Sequence, residues 1–166
     1  MDFRISGLPV APFLPLFGLS DQQLAACGVA RQIADKRPGF PCRVSLQDAN
    51  LGESVLLLNY EHLPVTSPYR SRHAIFVRED AIESQPGVNE VPELLRSRLL
   101  SVRAFDRHGM MVDADVVEGS KLEQIASRFL ENPQTGYLHL HNAKPGCFAA
   151  RVDRSRLKRV HLSVIP

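Results

Sequence analysis

The run Tyr137-Leu138-His139-Leu140-His141 alternates with period two, so on a strand Tyr137, His139 and His141 share one face and Leu138 and Leu140 the other. Two imidazoles placed this way can chelate one metal ion. A complete site needs a third and usually a fourth ligand, and the chain offers His73, His62, Asp113 or Asp115 without a spacing that selects among them. A neutral imidazole can equally exchange protons near neutral pH or contact an anion. A polar, solvent-facing strand would show the same alternation.

A second concentration of reactive side chains lies at residues 60–73, where Tyr60, Glu61, His62, Tyr69, Arg70, Arg72 and His73 stand between two apolar runs. Loops held between rigid strands commonly display functional groups. Arg70 and Arg72 suit an anion, and His73, at the mouth of a strand, suits acid–base chemistry. An ordinary turn at Ser67-Pro68-Tyr69 with solvated arginines would read the same way. Next to the histidine pair, Asn142-Ala143-Lys144-Pro145-Gly146-Cys147 forms a turn carrying a thiol. Cys147 becomes nucleophilic only if a neighbour such as His139 or His141 activates it. Buried, inert packing is the common state of a free cysteine, and the same holds for Cys42. Asp113 and Asp115 also share a face, as paired carboxylates or as the exposed side of an edge strand.

These groups must be positioned by elements that the periodicity outlines. Residues 7–19 carry three prolines among large apolar side chains, which predicts an extended lead-in packed on the core. Ser20 and Gln23 have the form of a capping box, and Ala26, Val29, Ala30 and Ile33 follow at helical spacing, predicting a helix from about 21 to 36. Strands are expected at 43–46, 55–60 and 74–77, and a short helix from Pro92 through about Arg98. Residues 100–105 and 111–117 form a hairpin around Asp106-Arg107-His108-Gly109. A second capping box at Ser120 to Glu123 opens a helix whose stripe is Leu122, Ile125, Ala126, Phe129 and Leu130, ending before Pro133. Strands at 137–141, 148–152 and 160–164 complete the chain. The short connections predict a single α+β domain over residues 1–166, with a mostly antiparallel sheet and about three packed helices. No alternating βαβ register or phosphate-binding glycine motif points to a nucleotide fold.

The composition narrows the classes of function. The 166 residues are 44% hydrophobic and 23% charged, with a net charge of +2, which suits one globular domain rather than a disordered chain. Near-neutral charge gives no strong nucleic-acid signal, and no apolar run is long enough to span a membrane. Sixteen of the 20 basic residues are Arg, and Arg151, Arg154, Arg156, Lys158 and Arg159 form a basic tail expected to be an alternating, solvated face. Three cysteines without a CxxC pair, and an N-terminus lacking a basic then apolar stretch, lead to an expectation of a cytoplasmic protein with free thiols.

The segments Phe40-Pro41-Cys42-Arg43-Val44-Ser45-Leu46, Asp48-Ala49, Gly52-Glu53, Leu56-Leu57-Leu58, Tyr60-Glu61-His62 and Ser67-Pro68-Tyr69-Arg70 together resemble a bacterial domain-of-unknown-function family, DUF1203. Ile75-Phe76-Val77-Arg78, Gly109-Met110-Met111, Asp113-Ala114-Asp115 and His139-Leu140-His141-Asn142-Ala143 belong to the same resemblance. It extends from about Phe3 to Arg154 and implies a single-domain bacterial protein, with no activity and no catalytic residues to carry over.

The residues therefore lead first to a pocket for a small anionic ligand. Arg70 and Arg72 would hold the anion, His73 and His139 would exchange protons, Tyr69 or Tyr137 would stack or donate a hydrogen bond, and His141 would be a further ligand-binding residue. A metal-dependent hydrolase or oxygenase built on His139 and His141 is the alternative. A non-catalytic interaction module, using residues 8–19 or the basic C-terminal stretch to pair with itself or a partner, is the third reading. The sequence specifies no cofactor, no metal and no oligomeric state.

Overall fold

A computed structural model describes residues 1–155. Eight strands and three short helices occur among them, in two antiparallel sheets. The larger sheet has the order β1-β8-β7-β5-β6, built from β1 (Phe3–Ser6), β5 (Leu99–Phe105), β6 (Met111–Glu118), β7 (Tyr137–Asn142) and β8 (Phe148–Arg154). The smaller has the order β2-β3-β4, from β2 (Ala30–Ile33), β3 (Ser54–Leu63) and β4 (Ser71–Arg78). The helices are α1 (Asp21–Ala26), α2 (Glu93–Arg96) and α3 (Leu122–Glu131). The arrangement is α+β. None of these helices is long and apolar enough to cross a membrane.

Helix α3 follows from its stripe: Leu122, Ile125, Ala126, Phe129 and Leu130 are all buried. They pack on the face of the larger sheet that carries Leu100, Val102, Ala104, Leu138 and Leu140. Arg154 fastens the end of the helix by donating to Leu130 O and Asn132 O, a cation at the negative pole of the helix. The smaller sheet turns Leu56, Leu58, Ile75 and Val77 inward onto a second core that takes Phe13 from the lead-in, Leu24 from α1 and Phe148 from β8. The lead-in thus packs on the core as expected, but residues 10–18 form a succession of turns with a 3-10 turn at Leu14–Leu16 rather than an extended segment, because local i→i+3 bonds such as Leu16 N to Phe13 O close it.

Several elements differ from the sequence reading, and in the first two non-local pairing outweighs local periodicity. The Ser20–Gln23 capping box forms, but α1 stops at Ala26; Gly28 takes a φ of +71° and residues 30–33 become β2, paired with β3. Residues 43–46 are a turn rather than a strand: Arg43 N bonds Phe76 O and Leu46 adopts a φ of +52°. Pro92 is the N-cap of a helix that ends at Arg96. The second capping box does not form; a 3-10 turn over Gly119–Lys121 leads into α3 with no side-chain cap. Arg151 and Asp153, two apart on β8, share one partly exposed face and pair at 2.8 Å, as an alternating strand face allows. The expected strand at 160–164 and the basic residues Arg156, Lys158 and Arg159 lie outside the described residues.

Gly119 marks the tightest joint, because a Cβ there would lie 1.9 Å from Leu95 O and 2.7 Å from Arg96 O. Neither backbone carbonyl can yield without moving α2. Gly119→Ala is expected to lower unfolding stability by about 2 kcal/mol or more, read from the urea midpoint at unchanged slope.

Candidate functional site

The alternation of β7 survives into the fold with opposite consequences for its two faces. Leu138 and Leu140 enter the core beneath α3, and Tyr137, His139 and His141 face the smaller sheet. All six residues of β7 are buried, so the polar face is not a solvent face. From the other side, β3 and β4 pair Tyr60 with His73 and then slip, three residues of β3 spanning two of β4 before Leu63 meets Ser71. A bulge bends the strand that contains it, and here it delivers His62 against β7 and β8.

The two sheets consequently meet at a layer of imidazoles. The His62 ring lies between His73, stacked at 4.7 Å and 7°, and Phe148, stacked at 4.8 Å and 11°. His139 and His141 meet it at centroid distances of 5.5 and 5.2 Å. One nitrogen from each of His62, His139 and His141 lies within 4.8 Å of the other two. Both ring nitrogens of His62, Nδ1 of His139, Nε2 of His141 and Nδ1 of His73 are buried without a hydrogen-bond partner among the described residues. His141 Nδ1 lies 3.0 Å from Gly146 O. A carbonyl only accepts, so Nδ1 carries the proton and Nε2 presents a lone pair to the cluster.

Burial dominates the electrostatics. It holds His139 down to about 2, with the charges of His62 and His141 adding to the effect. It holds His141 to about 3, opposed by the Gly146 hydrogen bond, and His62 to about 4, assisted by His73 and Arg103. His73 is lowered as well, by burial and then by Arg103 and Arg43. At neutral pH the cluster is uncharged. Uncharged imidazoles with free lone pairs can coordinate a metal ion; they cannot hold an anion by charge.

Of the other residues the sequence singles out, Tyr137 adjoins the cluster, 5.2 Å from the His139 ring, with Arg151 over its own ring at 3.9 Å. Arg70 is exposed and engaged by Glu61 at 2.5 Å, and Arg72 is exposed. Tyr69 packs edge-on against Phe105 at the rim. The two predicted segments meet through their histidines, and Arg70 and Arg72 stay outside. Asp113 and Asp115 register with Ala104 and Val102, on the sheet face away from the imidazoles, and Asp115 pairs with Arg128 of α3. Cys42 is fully buried. Cys147 Sγ accepts from Arg43 Nη2 at 2.9 Å and Asn142 Nδ2 at 3.4 Å.

Three neighbours were not singled out from the sequence. Phe148 clamps His62. Arg103 registers with His139 across β5 and β7, among the described residues bonds only Ser101 Oγ, and has its pKa lowered by burial. Arg43 is buried, donating to Phe148 O at 2.8 Å and to Pro41 O. Both arginines interrupt apolar runs, a signal that was available, but a buried polar residue does not name its partner.

The family model described as "Protein of unknown function (DUF1203)" matches residues 39–154. The chain belongs to this family. No curated protein and no solved structure matches it. The DUF1203 span contains β3 to β8, and so all four histidines of the cluster, Phe148 and both buried-side arginines; β1, the lead-in, α1 and β2 precede it.

Imidazoles neutral in the folded protein and titrating at 6.5 when unfolded make the native state the poorer proton binder. Stability is therefore held above pH 6.5 and lost as the pH falls below it toward the folded values of about 4, 3 and 2. For the chelator-treated DUF1203 protein, moving from pH 7.5 to 5.5 is expected to cost roughly 1 kcal/mol per buried imidazole. Urea unfolding at the two pH values measures this, and equal stabilities would contradict burial in the neutral form.

Proposed function

We propose that this DUF1203 protein binds a transition-metal ion through His62, His139 and His141. The observation that carries the reading is the convergence of three buried, neutral imidazole nitrogens to within 4.8 Å, with no group of the described residues hydrogen-bonding the free ones. Leaving a buried acceptor unsatisfied costs about 1–3 kcal/mol, and a shared cation relieves several such costs at once. Gly146 O supplies to His141 the outer hydrogen bond that metal-bound imidazoles typically have, and Phe148 and His73 fix the His62 ring by stacking on its two faces.

The donor set favours Zn²⁺, since three imidazoles leave one tetrahedral position for water or substrate and carry no hard oxygen ligand. Among the described residues no carboxylate joins the cluster, so hydrolytic chemistry fits it better than an oxygenase centre with two histidines and a carboxylate. A bound Zn²⁺ would polarise a carbonyl or phosphoryl group, or lower the pKa of a coordinated water. His139, held to about 2, serves as a ligand rather than as an acid or base near neutral pH. His73 is stacked parallel to His62, which puts its in-plane lone pairs in a different plane from those of His62. It is a proton-exchange candidate beside the ligands rather than one of them.

Elemental analysis of protein expressed with metals supplied should find about one equivalent of a transition metal, and Zn²⁺ at 100 times its dissociation constant should stabilise the stripped chain by about 2.7 kcal/mol. His62→Ala, His139→Ala and His141→Ala should each lose the metal, and His73→Ala should keep it. Metal content below about a tenth of an equivalent, or a normal content in the three ligand variants, would refute the proposal.

A further inference from the structure

A groove of about 1050 Å³ opens beside the histidine cluster, between residues 36–43, β4, the turn at 97–99 and the turn at 142–147. Its size is at the upper end of small-molecule sites. His73 belongs to both places: it lines the groove and stacks on His62.

The charge of the lining is one-sided. Lys36, Arg43, Arg98 and Lys144 face the groove, with no aspartate or glutamate among the lining residues. Arg98 is already neutralised by Asp48, bonded through both carboxylate oxygens at 2.7 and 2.8 Å. Arg43 is not. It is 2% exposed, its acceptors are two carbonyls and the Cys147 sulfur, and among the described residues no carboxylate comes within 4.0 Å of it. A buried guanidinium without an anionic partner is an uncompensated charge, strongly felt in a low-dielectric surrounding. Asn142, 6% exposed, holds Cys147 with its Nδ2, and its Oδ1 has no hydrogen-bond partner among the described residues. Phe76 and Leu57, both half-buried, give the groove an apolar side.

We propose that this groove binds a small organic oxyanion, a carboxylate or phosphate monoester on an apolar body. The anionic group lies toward Arg43 and Lys144, and the apolar part rests on Phe76 and Leu57. The site replaces Arg70 and Arg72 as the anion-binding element. Oxyanion binding stands independently of the metal; only delivery of the ligand to a reactive ion beside His73 rests on the metal reading.

The test is a ligand-observed NMR titration of the full chain after chelator treatment, using 4-phenylbutyrate, phenyl phosphate and the neutral 4-phenylbutyramide. Binding of either oxyanion, with the amide at least about tenfold weaker, is expected. Which oxyanion binds more tightly separates carboxylate from phosphate ligands. Lys36→Glu with Lys144→Glu, both on the surface and compatible with folding, should weaken the oxyanion about fivefold or more. Arg43→Met should do the same if it folds, and the lysine pair decides the matter if it does not. An amide that binds as tightly, oxyanions that fail to saturate, or a charge-reversed pair with wild-type affinity would overturn the proposal. Because the protein is stripped of metal, failure here leaves the metal analysis untouched, and a metal-free protein that still binds oxyanions leaves the groove standing.

Discussion

The two sheets of this protein touch through imidazoles, and much of the structure is arranged around that contact. His62 reaches across from a bulged strand and is fixed between His73 and Phe148, with His139 and His141 at its edge. Such a layer is held in place from outside, because unpartnered imidazole nitrogens oppose burial. The apolar cluster beneath α3 anchors β7 from one side, and the cluster of Phe13, Leu24, Leu56, Leu58, Ile75 and Val77 anchors β3 and β4 from the other. Apolar packing on both flanks thus stabilises a polar seam that would not persist alone.

Arg43 joins the seam to its surroundings. Its guanidinium reaches Phe148 O, on the strand that clamps His62, and Cys147 Sγ, in the turn that orients His141. The same turn supplies Gly146 O to His141. Residues distant in sequence therefore fix one another's orientation: the 41–46 turn positions β8, β8 positions His62, and the 142–147 turn sets the His141 tautomer. The charge balance follows from this layout. Neutral imidazoles occupy the centre, while Arg43 and Arg103, at its margin, have no carboxylate partner among the described residues, which separates a place suited to a cation from a neighbouring one suited to an anion.

The sequence reading succeeded where a property belongs to one segment. The α3 stripe, the hairpin of β5 and β6 around Gly109, the Ser20 cap and the shared face of Tyr137, His139 and His141 are all local periodicities or turn chemistry. It failed where a competing partner lies elsewhere in the chain. Residues 30–33 have helical spacing but complete the edge of β3, and residues 43–46 have strand composition but are pulled into a turn by β4. For the site, His139 and His141 were legible as a pair. His62 was one of four offered ligands, and Arg70 and Arg72 looked more conspicuous than Arg43 because their loop is rich in polar residues.

The sequence by itself determined the class of fold, the family resemblance and the side of β7 on which two imidazoles must lie, since side-chain direction along a strand is dictated by its own backbone geometry. Only the tertiary structure decided that this side is buried, that His62 rather than Asp113 or Asp115 joins it, and that Arg70 is held away by Glu61. Those outcomes depend on which faces of the two sheets meet and on one slipped register in β3. The first is set by the packing of residues far apart in the chain, and the second by how the β3–β4 hairpin closes against β7 and β8; no side-chain periodicity records either.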